Sequence, residues 1–245
     1  MTLVVRSGAL GDFVLSLPAI QALVPCDVAC PARYGCLLPE GARRVEWDWR
    51  SGGWDRGVAF APTAAQAMRE AGIPEVFEIA PMPPEGVHAA THFGRAVGAV
   101  DLVPRVRARD DGSRRVVIAP GSGGAGKRWP MERWRAAAAL LGEVAWVGGP
   151  VEEGEAWAQL RPDLPELVAI LAGAAVVLAP DSGVGHLAAA VGAPVVSVFG
   201  PTDPRQWAPV GAVVVAWDTP PEDVAKIARA RMAARFAADR AGDAG

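Results

Sequence analysis

The sequence contains little lysine and no long hydrophobic segment. Only Lys127 and Lys226 are lysines among its 24 basic residues. A formal net charge of −3 leaves no broad basic excess of the kind that nucleic-acid-binding proteins use. No segment approaches the roughly 18 uninterrupted apolar residues of a membrane-spanning helix, and the first residues lack the order of regions found in a secretory signal. We therefore expect a soluble, cytoplasmic protein that does not bind nucleic acid.

Cysteine is scarce as well. Cys26, Cys30 and Cys36 have the spacing C-x3-C-x5-C, with no fourth ligand nearby in the sequence. This pattern favours ordinary reduced thiols over a metal site, so we assign no metal ligands.

The order of apolar runs and helical patterns predicts an α/β protein in two halves, each with a doubly wound parallel sheet. A charged connection at 101–115 predicts domains at 1–108 and 109–245, with a C-terminal helix that can fold back on the first domain. Pro18 is expected to kink or shorten the first helix. The expected strands are 2–6, 26–29, 45–47, 57–60, 76–79, 116–120, 145–150 with its turn, 175–179 and 195–199, the last completing the sheet. The first expected helix ends near 23. The other expected helices lie at 63–72, 89–99, 131–141, 152–160, 165–172 and 186–191, and the last begins at 220.

The first motif is GALGD, which follows the first strand. Gly8 and Gly11 let the backbone turn tightly and approach a ligand. Asp12 begins a helix, where it either stabilises the helix end or faces a cleft as a general base. The motif differs from G-x-G-x-x-G, so it does not predict a dinucleotide site.

The second motif is PGSGGAGKRWP, at 120–130. Its glycines, among them Gly123, predict a loop whose backbone can close on a polar group, and the hydroxyl of Ser122 adds a hydrogen-bonding group. Lys127 supplies a compact positive charge suited to phosphate oxygens. Because Arg128 follows the lysine in place of Ser or Thr, this is not a Walker A loop. Trp129 and the neighbouring apolar side chains are expected to anchor the loop to the next helix. Lys226, by contrast, is interpreted as a solvated residue of the C-terminal helix.

The third motif is DSGVGHLAAAVGAPVVSVFGPTD, at 181–203. It predicts a helix that starts at a strand end, where unpaired N–H groups and a partial positive charge suit a phosphate. His186 either faces that ligand or packs beneath it, and the turn at 199–203 can reach the same crevice. Glu152 and Glu153 stand where an acid commonly binds ribose hydroxyls, although a solvated helix start explains them equally well.

These three motifs, in this order, resemble those of the ADP-heptose:lipopolysaccharide heptosyltransferase family. That family has the GT-B fold, so the resemblance implies two Rossmann-like, doubly wound domains that face each other across a cleft. The resemblance covers most of the C-terminal half but only the first residues of the N-terminal half. The middle of the N-terminal half is short for an acceptor-binding domain. By resemblance, Asp12 is the catalytic base, with Gly8 and Gly11 on the acceptor side. The donor-binding residues that the resemblance implies are Ser122, Gly123, Lys127 (also catalytic), Glu152 or Glu153, Asp181, Ser182, Gly183 and His186.

The activity implied by the resemblance is inverting transfer of a heptose-like sugar from a nucleotide-diphosphate donor, ADP-heptose, to a hydroxyl of a glycan or glycolipid. No cofactor is required in this scheme, although Mg²⁺ remains open, and the acceptor would bring the protein to a membrane surface. Two alternatives stay open. One is a non-catalytic protein that binds nucleotide sugars, and the other is a sugar-nucleotide epimerase or hydrolase of the same fold.

Overall fold

The computed structural model describes residues 1–149, 152 and 155–242, and it divides the chain into two compact units, Met1–Arg107 and Ala108–Gly245. Each unit contains a five-stranded sheet whose neighbouring strands are all parallel. The central strands consist mostly of buried apolar residues, as expected for parallel sheets that are covered by helices on both faces.

The N-terminal unit is built on a sheet of order β3-β2-β1-β4-β5. Its strands are β1 (Thr2–Val5), β2 (Cys26–Ala29), β3 (Ala42–Val45), β4 (Arg56–Ala59) and β5 (Glu75–Glu78). Its helices are α1 (Leu10–Ala22), α2 (Pro62–Glu70) and α3 (Ala89–Ala96), and short 3-10 turns lie at Ala32–Leu37 and Trp49–Ser51.

Two expectations for this unit need correction. Pro18 lies inside α1 and is buried, and the helix continues past it to Ala22, so the proline does not shorten the helix. The expected strand at 45–47 lies earlier in the chain, as β3. It pairs with β2 in the register Val28↔Arg44, and because it is a half-exposed edge strand it carries arginines rather than an apolar run.

The C-terminal unit has the strand order β10-β9-β8-β6-β7. Its strands are β6 (Val116–Ile118), β7 (Val144–Trp146), β8 (Val176–Pro180), β9 (Val195–Phe199) and β10 (Val213–Ala216). Its helices are α4 (Met131–Leu141), α5 (Leu164–Gly173), α6 (Gly183–Ala190), α7 (Pro204–Trp207) and α8 (Pro221–Gly242), and a 3-10 turn lies at Ala125–Lys127.

The sequence-based expectation for this unit was wrong in two places. The sheet does not end at β9, because β10 pairs with it in the register Val213↔Val196. The helix expected at 152–160 does not form at 155–160. There the chain makes a turn and an isolated parallel bridge between Val147 and Leu160, so its hydrogen bonds go to the strand end at Trp146 and Gly148.

The C-terminal helix packs on α4 and on strands β8 and β9 of its own unit, and Val224 and Ala228 enter that core. Arg235 fastens the helix further, because its guanidinium donates to the carbonyl oxygens of Gly192 (3.2 Å) and Ala172 (3.3 Å). Within the part of the chain that the structure describes, no helix is both long and apolar enough to span a bilayer.

The three cysteines are free thiols. Cys26 and Cys30 are buried, and burial raises the pKa of each to about 11, whereas Cys36 is exposed. Across the described ranges, no group of three or more His, Cys, Asp or Glu side chains is arranged to hold a metal ion.

Candidate functional site

The junction between β8 and α6 forms the centre of the candidate site. Every residue of β8 is buried, and the strand ends at Pro180. Ser182 caps the helix that follows, since its hydroxyl oxygen accepts from the amide of Gly185 at 3.3 Å. The helix therefore begins at Gly183, at the carboxyl edge of the sheet, where open α/β folds bind ligands and helix N-termini favour anions.

The carboxylate of Asp181 lies among three polar side chains at this junction. Its Oδ2 accepts from the hydroxyl of Thr202 at 2.7 Å and lies 2.8 Å from Nζ of Lys127. Its Oδ1 lies 4.0 Å from Nε2 of the buried His186. The side chain of Asp181 is only 6% exposed, whereas that of Lys127 is 36% exposed. A buried carboxylate thus holds a lysine whose ammonium remains accessible from solvent.

The glycine-rich loop after β6 is tied to the same junction. The hydroxyl of the buried Ser122 donates to the main-chain oxygen of Asp181 at 2.9 Å. Arg128 in turn donates from Nε to the main-chain oxygen of Ser122 at 2.9 Å. In contrast, a Cβ added at Gly123 would meet no atom within 4 Å, so the backbone at that position is open.

Glu152 forms a second buried acidic position beside this loop. It is 4% exposed, its Oε2 accepts from the amide of Gly149 at 3.0 Å, and its Oε1 lies 3.6 Å from Nη2 of Arg128. Gly121 passes so close that an added Cβ would overlap the Glu152 carboxyl group. Glu152 is therefore fixed by its surroundings rather than solvated, while Glu153 lies outside the described residues.

The downstream end of the loop is anchored, as the sequence predicted. Trp129 is buried and packs edge-on against Trp134 with ring centres 4.8 Å apart. Its Nε1 also donates to the main-chain oxygen of Trp217 at 2.8 Å, and Arg133 donates to the same oxygen at 2.7 Å.

In the N-terminal unit, Asp12 lies in the first turn of α1. Gly8 has φ +117°, a conformation that favours glycine, and its α-carbon is close enough that an added Cβ would lie 3.5 Å from Oδ2 of Asp12. The side chain of Tyr34 donates to the main-chain oxygen of Gly8 at 3.2 Å and so fixes this turn. Gly11 is the residue before Asp12 in the same helical turn.

Arg6, which the sequence did not single out, supports this turn from a buried position. It is 6% exposed, and its Nη2 donates to the main-chain oxygen of Asp12 at 2.7 Å. Its guanidinium lies over the rings of Phe60 and Phe93, 4.8 and 5.2 Å from their centres. Burial lowers the pKa of Arg6, and the charge of Asp12 opposes that shift.

The structure thus brings most of the expected donor-side residues together in the C-terminal unit and holds the GALGD turn in the other unit. The sequence did not single out Thr202 or Arg128 as site residues. Both lie inside motifs that were recognised, FGPTD and PGSGGAGKRWP, so the signal was present without a reason to choose those positions.

Comparison with known proteins identifies the family. The model of glycosyltransferase family 9 (heptosyltransferase) matches residues 99–229, more than half of the chain. The chain belongs to this family. Curated relatives of this family 9 protein include lipopolysaccharide heptosyltransferase 1 of Escherichia coli K12, which is 37% identical over an alignment of 94 residues; the match covers 32% of this chain and 29% of that protein. The enzyme of the same name from Salmonella typhimurium is 32% identical over an alignment of 117 residues, and that match covers 41% of this chain and 37% of that protein. The matched region thus spans about a third of these relatives.

Solved structures extend the likeness to nearly the whole family 9 chain. The E. coli ADP-heptose lipopolysaccharide heptosyltransferase II has a TM-score of 0.79 at 19% identity, covering 96% of this chain and 99% of that one. The E. coli heptosyltransferase WaaC with ADP has a TM-score of 0.71 at 18% identity, covering 94% and 99%. At such identities the likeness concerns the fold, and it confirms the expected α/β fold of the GT-B class.

Proposed function

We propose that this family 9 protein is an inverting glycosyltransferase that moves a heptose from ADP-heptose to a hydroxyl of a lipopolysaccharide-type acceptor. The observation that carries this proposal is the meeting of Lys127, Ser122 and Asp181 at the start of α6. An accessible ammonium, a loop of small residues and a helix N-terminus together form a site suited to a diphosphate.

The nature of the donor is supported by the acidic position next to this site. Glu152 is buried, and the amide of Gly149 donates a hydrogen bond to its Oε2. This contact orients the carboxylate, whose oxygens can accept hydrogen bonds from vicinal hydroxyls such as those of ribose. Among the structural neighbours, one E. coli enzyme was solved with ADP and also with ADP-2-deoxy-2-fluoro heptose. We assign the adenosine diphosphate to the C-terminal unit of this chain on these grounds.

In the proposed reaction, Asp12 removes the proton of the acceptor hydroxyl as its oxygen attacks the anomeric carbon. The bond from that carbon to the diphosphate oxygen breaks with inversion, through a transition state with oxocarbenium character. The departing ADP gains negative charge, which Lys127, Ser122 and the N–H groups at the start of α6 stabilise. These residues supply the positive field of the leaving-group site, so the scheme contains no step through a divalent ion.

The proposed acceptor also implies where the enzyme works. A lipopolysaccharide precursor is a glycolipid, so the protein would meet a membrane surface through its substrate, from the cytoplasmic side.

Acceptor-dependent release of ADP tests the proposal. The purified chain is mixed with ADP-heptose, with and without a deacylated lipopolysaccharide core acceptor, and free ADP is measured. We expect ADP only when the acceptor is present, and near-complete loss of turnover in Asp12→Asn with ADP affinity unchanged. Asp48→Asn, an exposed carboxylate of the same unit, serves as the matched control.

The other outcomes separate the alternatives. Equal ADP release without acceptor indicates a hydrolase, and donor binding without release indicates a binding protein. A wild-type rate in Asp12→Asn removes that residue from the mechanism.

A further inference from the structure

Asp181 carries a feature that donor binding alone does not explain. It places a buried negative charge beside the lysine that is proposed to bind a negatively charged diphosphate. The like charge of a carboxylate weakens the binding of any anion nearby, and the effect is larger where water is excluded. A neutral hydrogen-bonding residue would position Lys127 without that penalty.

The surroundings of Asp181 fix the orientation of its carboxylate. Thr202 and Lys127 both direct donors at Oδ2, at 2.7 and 2.8 Å, so two partners on different loops hold the same oxygen. His186 faces the other oxygen, at 4.0 Å. The carboxylate is therefore fixed in orientation, and its single ionic partner at hydrogen-bond distance among the described residues is Lys127.

The substrate and product of the proposed reaction differ in charge at this point. The terminal phosphate of free ADP loses a second proton near pH 6, so above pH 7 it carries about one more negative charge than the same phosphate esterified to a sugar. A fixed carboxylate repels the more highly charged ligand more strongly. Lys127 attracts both ligands, but its charge is balanced by that of Asp181.

We propose that Asp181, held by Thr202 and paired with Lys127, makes the donor site favour sugar-bearing ADP over free ADP. This specificity role rests on the proposed function, and it explains why a carboxylate occupies a diphosphate site. It also gives the site a means of releasing its product, because ADP becomes the less favoured ligand as soon as the sugar has left.

The test compares three ligands without acceptor: ADP, ADP-heptose and the β-methyl ester of ADP. The ester has the charge of a nucleotide sugar but no sugar, so it separates the charge effect from any contact of Asp181 with the heptose. Dissociation constants are measured by calorimetry at pH 8, where ordinary histidine side chains are largely neutral. The decisive quantity is the ratio of the ADP constant to the ester constant.

In Asp181→Asn we expect that ratio to fall about fivefold to tenfold relative to the wild type, because the repulsion of the extra charge is lost. Asp218→Asn removes an exposed carboxylate of the same unit and should leave the ratio unchanged. Thr202→Val should lower the ratio by about twofold to threefold, because the Asp181 carboxylate is no longer held in place by the Thr202 hydroxyl. Thr202→Ser keeps that hydroxyl and should restore the ratio.

An unchanged ratio in Asp181→Asn overturns the proposal, even if that variant binds both ligands well and the donor site itself stands. If Asp181→Asn does not fold, Thr202→Val decides in the same way. Failure of the wild type to bind any of the three ligands would instead overturn the proposed function, so the two failures are distinguishable.

Discussion

Arg6 donates from its guanidinium to the main-chain oxygen of Asp12 at 2.7 Å, and it does so from a position that is 94% buried against two phenylalanine rings. Its Nε has no hydrogen-bond partner among the described residues. Burying a cation without a full set of partners costs free energy that packing and one hydrogen bond only partly offset. The hydrogen bond from Arg6 is therefore better explained by a role in positioning Asp12 than by a contribution to the stability of the fold.

Arg6→Met is accordingly expected to separate stability from activity. Methionine fills much of the same volume and removes the desolvation cost, so the free energy of unfolding should change by less than about 1 kcal/mol. The turnover rate should fall about tenfold, because the turn that carries Asp12 loses its hydrogen bond. Urea unfolding and acceptor-dependent ADP release measure the two quantities. Arg6→Lys should recover part of the rate, and a loss of stability as large as the loss of rate would contradict this account.

The two lysines of the chain offer a matched pair of variants. Lys127→Ala removes the charged hydrogen bond that we propose Lys127 makes to the diphosphate, which is worth roughly 1.5–3 kcal/mol, or about one to two decades in rate. Lys226→Ala changes an exposed lysine of α8 and should leave rate and ADP affinity unchanged. Steady-state kinetics with ADP-heptose measure both. Equal behaviour of the two variants would remove Lys127 from the donor site.

Gly121→Ala tests whether the position of Glu152 matters. The added methyl group would overlap the Glu152 carboxyl group, which must then move away from Gly149. We expect ADP affinity to fall about tenfold, as for the loss of one charge-assisted hydrogen bond. Gly126→Ala, in the same loop, adds a methyl group that meets nothing within 4 Å and is the control. Unaltered ADP binding in Gly121→Ala would argue against a ribose role for Glu152.

Asp27 should make the N-terminal unit sensitive to acid. Nε and Nη2 of Arg43 each donate a hydrogen bond of 2.8 Å to this carboxyl group, and these bonds hold its pKa below the ordinary value. Burial opposes this shift of the pKa, and a hydrogen bond from Trp54 reinforces it. A pKa lower in the folded than in the unfolded chain adds stability above about pH 4, and this stability is lost as the pH falls further. Asp27→Asn should therefore lose less stability between pH 6 and pH 3 than the wild type, measured by urea unfolding. In Glu46→Gln, an exposed control, the wild-type acid dependence should persist.

The sequence predicted the strands and helices that have strong local signals. Predominantly apolar runs bounded by glycine and proline predicted β8 and β9. The helix expected at 186–191 also forms, but it begins three residues earlier, at Gly183, because Ser182 caps it. Residues 155–160 did not follow local preference. Leu160 extends the strand end at Val147 with a parallel bridge, and such a long-range pairing leaves no periodic pattern in the sequence.

The residue types of the site were predictable, but their pairings were not. Glycine, serine and lysine in one loop indicate phosphate binding on chemical grounds alone. That Thr202 shares an oxygen of Asp181 with Lys127 depends on three loops that meet at one sheet edge. Arg6 was missed for a related reason, because an arginine at the end of a strand usually lies in solvent and only the fold shows that it is buried.

Trp129 and Arg133, which follow the glycine-rich loop, determine which part of that loop can move. Trp129 and Arg133 both bond to the carbonyl of Trp217 at the edge strand, so the backbone from there onward is immobilised by the sheet. Upstream of Trp129 lie glycines and a short 3-10 turn that ends at Lys127. Any adjustment of the Lys127 ammonium toward an incoming ligand is thus confined to a few peptide units, and α4, which follows them, can keep its place.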